Sequence, residues 1–137
     1  MDFFGLVPFT YLLTVPESDI GGFVVLDKCW SNPEMNRFWS KYKYFLYVDV
    51  KDFDVPSFEE MDLIIDFIDF IVNKKGKKCI VSCKSNFGRT GVVLAIWCAL
   101  NGIHDPIRYV REKYSILAIE TIEQEKFIEE YLRYRLG

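Results

Sequence analysis

The segment from residue 79 to residue 100 most constrains the fold, because a polar loop there separates two apolar runs. The first run covers residues 79–81, the second covers residues 92–100, and residues 82–91 lie between them. This pattern predicts a strand, a tight loop and the start of a helix. Backbone N–H groups at such a helix start favour an oxyanion and also a thiolate. The segment therefore predicts an α/β unit that carries an anion site.

Two reactive side chains stand at the ends of that loop. Cys83 can supply a thiolate, and Arg89 carries a planar guanidinium that can grip two phosphate oxygens. Taken alone, Cys83 could be an inert buried thiol and Arg89 could form an ordinary surface ion pair. Their spacing across a strand–loop–helix segment favours a phosphate held against a nucleophile.

The order Cys83-x5-Arg89-Thr90-Gly91 resembles the signature of the cysteine-dependent protein tyrosine phosphatase superfamily. Residues 50–57 resemble the segment that carries the general acid in small dual-specificity phosphatases and their archaeal relatives, and residues 118–127 resemble a later block of the same group. Three blocks in the same order are more specific than a single Cys–Arg spacing. The resemblance extends from about residue 44 to residue 137.

This resemblance implies a protein tyrosine phosphatase-like α/β fold, in which helices flank a short central mixed sheet. We expect residues 1–137 to form a single phosphatase domain. The implied function is hydrolysis of phosphotyrosine in proteins, with phosphoserine and phosphothreonine as further possible substrates, through a cysteinyl-phosphate intermediate. The implied chemistry needs no cofactor and no metal.

The resemblance also assigns roles to loop residues. Cys83 would be the nucleophile, and Arg89 with the loop amides would hold the equatorial oxygens of the phosphoryl group. Thr90 would donate its hydroxyl to the departing sulfur. The implied substrate-binding residues are Lys84, Ser85, Asn86, Phe87, Gly88 and Arg89.

The resemblance also assigns roles to two residues outside the loop. Asp52 is the expected general acid that protonates the leaving group, and its neighbours Asp54 and Asp49 are the alternatives. Gln124 would orient the hydrolytic water, but it also fits a capping box that begins at Thr121. Both roles of Gln124 can coexist.

The chain departs from the family pattern at three places. Ser82 stands where the family usually has His, and a hydroxyl cannot carry charge, so we expect activity to rise toward alkaline pH. Asn86 replaces the usual glycine three residues after the nucleophile, and Asn tolerates positive φ better than most residues. The usual Arg-Pro-Gly before the last block is absent, and residues 114–117 take its place.

Composition limits the partners and the location. The chain has 137 residues, half of them hydrophobic, a formal charge of −3 and a pI near 5.2. These values fit one compact domain and argue against general attraction to nucleic acid or to anionic membranes. No signal-peptide pattern and no apolar run of spanning length is found, so we expect a cytoplasmic protein. A phosphorylated protein is the expected partner, and the oligomeric state is left open.

Other functions remain open at this stage. The same loop could serve an RNA 5′-triphosphatase or a phosphoinositide phosphatase, although mild acidity counts against RNA. A catalytically weak phosphate-binding module is favoured only by the loss of the usual His. Cys79 and Cys98 fit buried small hydrophobes, and an even cysteine count does not indicate disulfides in a reducing cytosol.

Local patterns predict the remaining elements. β-branched and aromatic residues predict strands at residues 22–26, 44–50 and 80–82. The sequence pattern of residues 31–43 predicts a short helix or an irregular connector. The other predicted helices run from a capping box at Ser57–Glu60 to a stop at residues 74–76, from Thr90 or Gly91 to Leu100, from Pro106 to about Lys113, and from a Thr121–Gln124 cap onward.

Overall fold

A computed structural model describes residues 2–28, 41 and 44–137. The described strands form a four-stranded sheet in the order β1-β4-β2-β3, with each neighbouring pair parallel. Antiparallel pairing in this part of the chain is confined to an isolated bridge between Phe3 and Leu6. The strands are β1 Leu6–Pro8, β2 Ile20–Val25, β3 Tyr44–Tyr47 and β4 Lys78–Ser82.

The α/β class is confirmed, and the differences from the prediction concern the sheet. The resemblance implied a mixed sheet, whereas the strand pairs described here are parallel. The strand predicted at residues 44–50 ends as β3 at Tyr47, although the N–H groups of Val48 and Val50 still bond to the carbonyls of β2 and Leu26 at 3.0 and 2.9 Å. β1 was not predicted. It has three residues including Pro8, and a proline without an N–H fits an edge strand.

The described part of the chain has four α-helices, and their buried hydrophobic residues all pack in one core cluster. They are α1 Phe58–Asp69, which continues into a π-helical turn over Phe70–Lys74, α2 Gly88–Leu100, α3 Pro106–Lys113 and α4 Ile122–Leu136. All four predicted helices after residue 57 are confirmed. The prediction for residues 31–43 lies almost entirely outside the described residues. None of the helices described here is both long and apolar enough to cross a membrane.

Alternation along the strands divides the core into two faces. Val24 of β2 and Val81 of β4 pack in the larger cluster with α1 and α2, whereas Phe23 and Ile80 pack in a smaller cluster on the opposite face. A 3₁₀ segment, Phe9–Thr14, covers the smaller cluster. α2 is buried from Gly88 to Cys98, as its apolar sequence predicts, so the loop before it is anchored in the core.

Both predicted capping boxes are present. Glu60 N–H donates to Ser57 Oγ at 3.0 Å, and Ser57 N–H donates to Glu60 Oε1 at 2.8 Å. At the start of α4, Gln124 N–H donates to Thr121 Oγ1 at 3.1 Å, and Thr121 N–H donates to Gln124 Oε1 at 3.2 Å. Each box satisfies two helix-end donors, which fixes where α1 and α4 begin.

A polar cluster around Asp62 joins α1 to α4. Tyr131 Oη donates to Asp62 Oδ1 at 2.5 Å, Tyr134 Oη to Asp62 Oδ2 at 2.9 Å, and Arg135 Nη1 to Asp62 Oδ1 at 3.0 Å. The hydrogen bond from Tyr131 is the main cause of a lowered pKa at Asp62, and Tyr134 and Arg135 add to it. The charged form of Asp62 is therefore the one that holds the two helices together.

Replacing Asp62 with Asn is expected to lower the free energy of unfolding at pH 7 by about 1 kcal/mol, because a partly exposed charged acceptor is lost. The folded pKa lies below the ordinary value of 3.8, so this stabilisation is present above that pH and disappears as pH falls through the folded pKa. Urea unfolding of both proteins at neutral and acidic pH measures the effect. Asp66→Asn, which removes a more exposed partner of Arg135, is the control and should cost less.

Candidate active site

The loop predicted as an anion site lies at the carboxyl end of β4. β4 ends at Ser82 and α2 begins at Gly88, so residues 83–87 form the connection at the edge where parallel sheets usually bind ligands. α2 begins two or three residues earlier than the Thr90 or Gly91 start expected from sequence. Phe87, at the N-cap position, makes no side-chain capping bond. Arg89 and Thr90 consequently belong to the first turn of α2.

Cys83 occupies the first loop position, and its side chain is almost enclosed. The residue is 2% exposed, and its Sγ accepts a hydrogen bond from Thr90 Oγ1 at 3.0 Å. Thr90 is fully buried. The structure thus brings the predicted nucleophile and the predicted hydroxyl donor together. A sulfur enclosed in this way can react only with a group small enough to enter the loop.

Asn86 shapes the middle of the loop. Its φ is 62°, which is the left-handed conformation that a glycine would adopt without cost. Its N–H donates to the Cys83 carbonyl at 3.2 Å, and its Oδ1 accepts from the Cys83 N–H at 3.4 Å. The loop turn therefore closes without the family's glycine.

Arg89 lies beneath the loop with its guanidinium held from several sides. The residue is 5% exposed, and Nη1 donates to the Val50 carbonyl at 2.6 Å. Nη2 lies 3.6 Å from Asp27 Oδ2 and 3.6 Å from Asp52 Oδ1. Nε is buried and makes no hydrogen bond to the described residues. A buried cation with an unused donor fits an anionic ligand.

A cavity of about 410 Å³ opens beside Arg89. Its lining residues in the described structure are Asp27, Lys28, Asp52, Lys84 and Arg89. Cys83 is not on this wall. Asp27 was missed by the sequence analysis, although a polar residue just after β2 lies at the same sheet edge as the loop after β4. The cavity thus combines three cations with two carboxylates.

The three carboxylates predicted as candidates for the general acid differ in their contacts. Asp52 lines the cavity with a side chain 49% exposed, and its Oδ1 also accepts from the Phe53 N–H at 3.1 Å. Asp54 Oδ1 instead accepts from the Val55 N–H at 2.8 Å, and Asp49 is exposed. The geometry therefore brings Asp52 to Arg89 and leaves Asp54 and Asp49 outside the lining of this cavity.

Gln124 is fully buried at the start of α4 and joins two segments. Its Oε1 accepts from the Glu120 N–H at 2.7 Å as well as from Thr121, and its Nε2 donates to the Asp54 carbonyl at 3.3 Å. Gln124 therefore serves as the cap and also holds the backbone that carries Asp52. The role of Gln124 in orienting the hydrolytic water stays a prediction, because none of its contacts in the described residues tests it.

The remaining loop residues differ in exposure. Lys84 and Ser85 are exposed, Phe87 is half-buried, and Gly88 is buried. A Cβ at Gly88 would lie 2.2 Å from Glu120 Oε1, so no side chain fits there without movement. Lys84 is the loop side chain that reaches the cavity wall.

A second hollow of about 540 Å³ lies next to the loop. Phe53, which follows Asp52, and Phe87, which belongs to the loop, both line it. Ile116 and Leu117, in place of the family's Arg-Pro-Gly, are 80% and 60% exposed on its wall. The site is therefore bordered by apolar surface on this side, although Arg111 and Glu120 also contribute.

The other described cysteines differ from Cys83. Cys79 and Cys98 are buried free thiols, as predicted. Burial raises the pKa of Cys98 to about 12 and raises the pKa of Cys79 further, so both stay protonated at neutral pH. Within residues 2–28, 41 and 44–137, no cluster of three His, Cys, Asp or Glu side chains could hold a metal ion.

Comparisons with known proteins show which family this chain resembles in sequence and fold. A family model described as "Polymorphic toxin system, DSP-PTPase phosphatase" matches residues 12–103. The uncharacterized protein MJECL20 of Methanocaldococcus jannaschii is 48% identical over 122 residues, which cover 85% of this chain and 80% of that protein. The crystal structure of Tk-PTP in the active form matches at 28% identity and a TM-score of 0.74, over 85% of this chain and 80% of that one.

A further structural match concerns the fold alone. PTPMT1 in complex with PI(5)P is 15% identical to this chain, with a TM-score of 0.68, and the match covers 93% of this chain and 87% of that one. Its sheet and helices therefore follow the same arrangement.

Proposed function

Because the chain belongs to the DSP-PTPase phosphatase family of polymorphic toxin systems, and so to the small dual-specificity-like cysteine phosphatases, we propose that it hydrolyses phosphotyrosine in proteins through a cysteinyl-phosphate. The observation that carries this proposal is the buried Arg89 Nε, which has no acceptor in the described residues and belongs to the same loop and helix start as Cys83. Phosphoserine and phosphothreonine remain further candidate substrates.

In the proposed first step, the Cys83 thiolate attacks phosphorus. A sulfur–phosphorus bond forms as the ester oxygen–phosphorus bond breaks, and Asp52 gives its proton to the departing oxygen. Arg89 and the loop amides hold the equatorial oxygens while charge shifts in the transition state. The 3.6 Å between Arg89 Nη2 and Asp52 Oδ1 supports placing acid and phosphate in one cavity.

In the proposed second step, water attacks phosphorus and the sulfur leaves as thiolate. Asp52, now ionised, accepts the proton from the water, and the products are inorganic phosphate and free enzyme. The 3.0 Å hydrogen bond from Thr90 Oγ1 supports stabilisation of the leaving thiolate. Gln124 would orient the water, and its bond to the Asp54 carbonyl would keep Asp52 in place.

The choice of a phosphotyrosyl protein rests on the surroundings of the loop. The hollow next to Phe87 has an apolar wall of Phe53, Ile116 and Leu117 beside Arg111 and Glu120, which suits an aromatic ring and the neighbouring side chains of a peptide. Asp27 and Asp52 offset two of the three cations on the cavity wall, which leaves little net positive charge for the several further phosphate charges of an RNA 5′-triphosphate. The site favours a single phosphate on an uncharged carrier.

A phosphoinositide is the second candidate substrate. Lys28 and Lys84 on the cavity wall could meet an additional headgroup phosphate, and the similar fold of PTPMT1 is solved with PI(5)P. Hydrolysis of a phosphotyrosyl peptide, a phosphoseryl peptide, a phosphoinositide and a triphosphorylated RNA, measured side by side, separates the candidates. We expect the phosphotyrosyl peptide to give the highest kcat/KM.

Replacing Asp52 with Ala is expected to lower kcat for an aryl phosphate with a poor leaving group by about 10²-fold or more, because the departing oxygen is no longer protonated. The measurement is metal-free hydrolysis of aryl phosphates with leaving groups of different acidity. The loss should shrink for the most acidic phenol, which needs no proton.

Asp54→Ala is the matched control for this experiment. Asp54 belongs to the same exposed segment, but its carboxylate bonds to the Val55 N–H. Asp54 is absent from the lining of the 410 Å³ cavity and instead lines, with Arg89, a separate cavity of only about 10 Å³. Its removal should change kcat less than threefold, a small effect on the scale of acid catalysis. A larger loss in Asp54→Ala than in Asp52→Ala would reverse the assignment of the acid.

A further inference from the structure

Tyr114 contacts the loop at a point that the proposed chemistry does not use. It stands just after α3, where the family usually has Arg-Pro-Gly, and its hydroxyl donates to the backbone carbonyl of Asn86. The same hydroxyl accepts from Thr10 Oγ1 at 3.5 Å. Tyr114 thus links the end of α3 and the N-terminal 3₁₀ segment to the centre of the loop.

The ring of Tyr114 is fixed by its neighbours. Its centroid lies 6.3 Å from that of Phe3, 6.0 Å from that of Tyr11 and 6.2 Å from that of Phe87. Burial raises the pKa of the Tyr114 hydroxyl, and the hydrogen bond with Thr10 offsets part of that rise. The hydroxyl therefore remains protonated at neutral pH and can act as a donor from a defined position.

The consequence for the loop follows from peptide geometry. The described peptide bonds are trans, and the C=O and N–H groups of a trans peptide point in opposite directions. The Asn86 carbonyl and the Phe87 N–H belong to the same peptide. Because the carbonyl bonds to Tyr114, the N–H points away from Tyr114. Without that bond, the left-handed Asn86 would be freer to rotate, and a carbonyl turned inward would repel an oxyanion.

We propose that Tyr114 is a positioning residue, which holds the Asn86–Phe87 peptide so that its N–H faces the phosphate and its carbonyl faces away. This inference rests on the proposed function of the loop in binding phosphate. Tyr114 itself does not touch substrate. It acts through the backbone that does.

Tyr114→Phe removes the hydroxyl and keeps the ring. Binding is measured with inorganic phosphate by titration calorimetry in a Cys83→Ser background, where no turnover is needed. The added Tyr114→Phe change is expected to raise the dissociation constant about tenfold, which corresponds to one hydrogen bond. In the protein with Cys83, the same change should lower kcat more than it raises KM, because the amide bonds more strongly to the transition state.

Thr10→Val is the matched control, since it removes the other hydroxyl in contact with Tyr114 and leaves the bond to Asn86 intact. It should leave both phosphate affinity and kcat unchanged. The midpoint of thermal unfolding of Tyr114→Phe should lie within about 4 °C of that of its parent protein, because the ring contacts remain.

The outcomes are distinguishable. Equal phosphate affinity and equal kcat with and without the Tyr114 hydroxyl would overturn this inference and leave the proposed function standing. A Tyr114→Phe protein that is unfolded at the assay temperature would also overturn it, since the hydroxyl would then support the fold as a whole. Failure of the Cys83→Ser protein to bind phosphate would refute the proposed function and the role of Tyr114 together.

Discussion

Replacing Cys83 with serine is expected to reduce phosphatase activity by about 10⁴-fold or more, because a serine hydroxyl is a poor nucleophile without a base to activate it. The Thr90 hydroxyl, which lies 3.0 Å from Cys83 Sγ in the wild-type protein, is too weak a base to activate a serine in that position. Steady-state hydrolysis of an aryl phosphate measures the loss. The wild-type protein should also show a burst of phenol release, which the variant should lack.

Cys98→Ala is the matched control for the nucleophile. Cys98 is a buried thiol in α2, and burial raises its pKa to about 12, so it offers no thiolate at neutral pH. Its removal should leave the activity per folded molecule unchanged. If Cys83→Ser kept activity within tenfold of wild type, the nucleophile would be a different group and the cysteinyl-phosphate mechanism would be refuted.

The features that the sequence predicted well are local ones. The spacing of Cys83 and Arg89 between two apolar runs predicted a loop between a strand and a helix, and the structure has that loop at residues 83–87. The Ser57–Glu60 pair predicted the start of α1, because a capping box involves only neighbouring residues. Such signals need no knowledge of how distant segments pack.

The features that it missed depend on the arrangement of distant segments. Asp27 comes near Arg89 because β2 lies beside β4 in the sheet, and strand order is not encoded in any short pattern. Tyr114 meets Asn86 across 28 residues, through the packing of α3 against α2. The start of α2 was misplaced because Phe87 gives no capping signal.

Replacing Arg89 with lysine is expected to lower kcat/KM for an aryl phosphate by about 10²–10³-fold. Lysine keeps the positive charge between Asp27 and Asp52 but lacks the planar fork, so it cannot bond to Val50 and to two phosphate oxygens together. Alanine would be a poorer test. It would remove the buried cation that faces those carboxylates and could cost several kcal/mol of stability.

The reason for expecting so large an effect from a conservative change is the way Arg89 is held. Nη1 donates a hydrogen bond to the Val50 carbonyl. The buried Nε and Nη2 are therefore the groups that remain to bind the oxyanion. Arg108→Lys is the control, because this exposed guanidinium on α3 pairs with Glu112, and it should leave kcat/KM unchanged. Activity of Arg89→Lys within about threefold of wild type would show that point charge alone binds the phosphate, and the fork geometry would have no catalytic role.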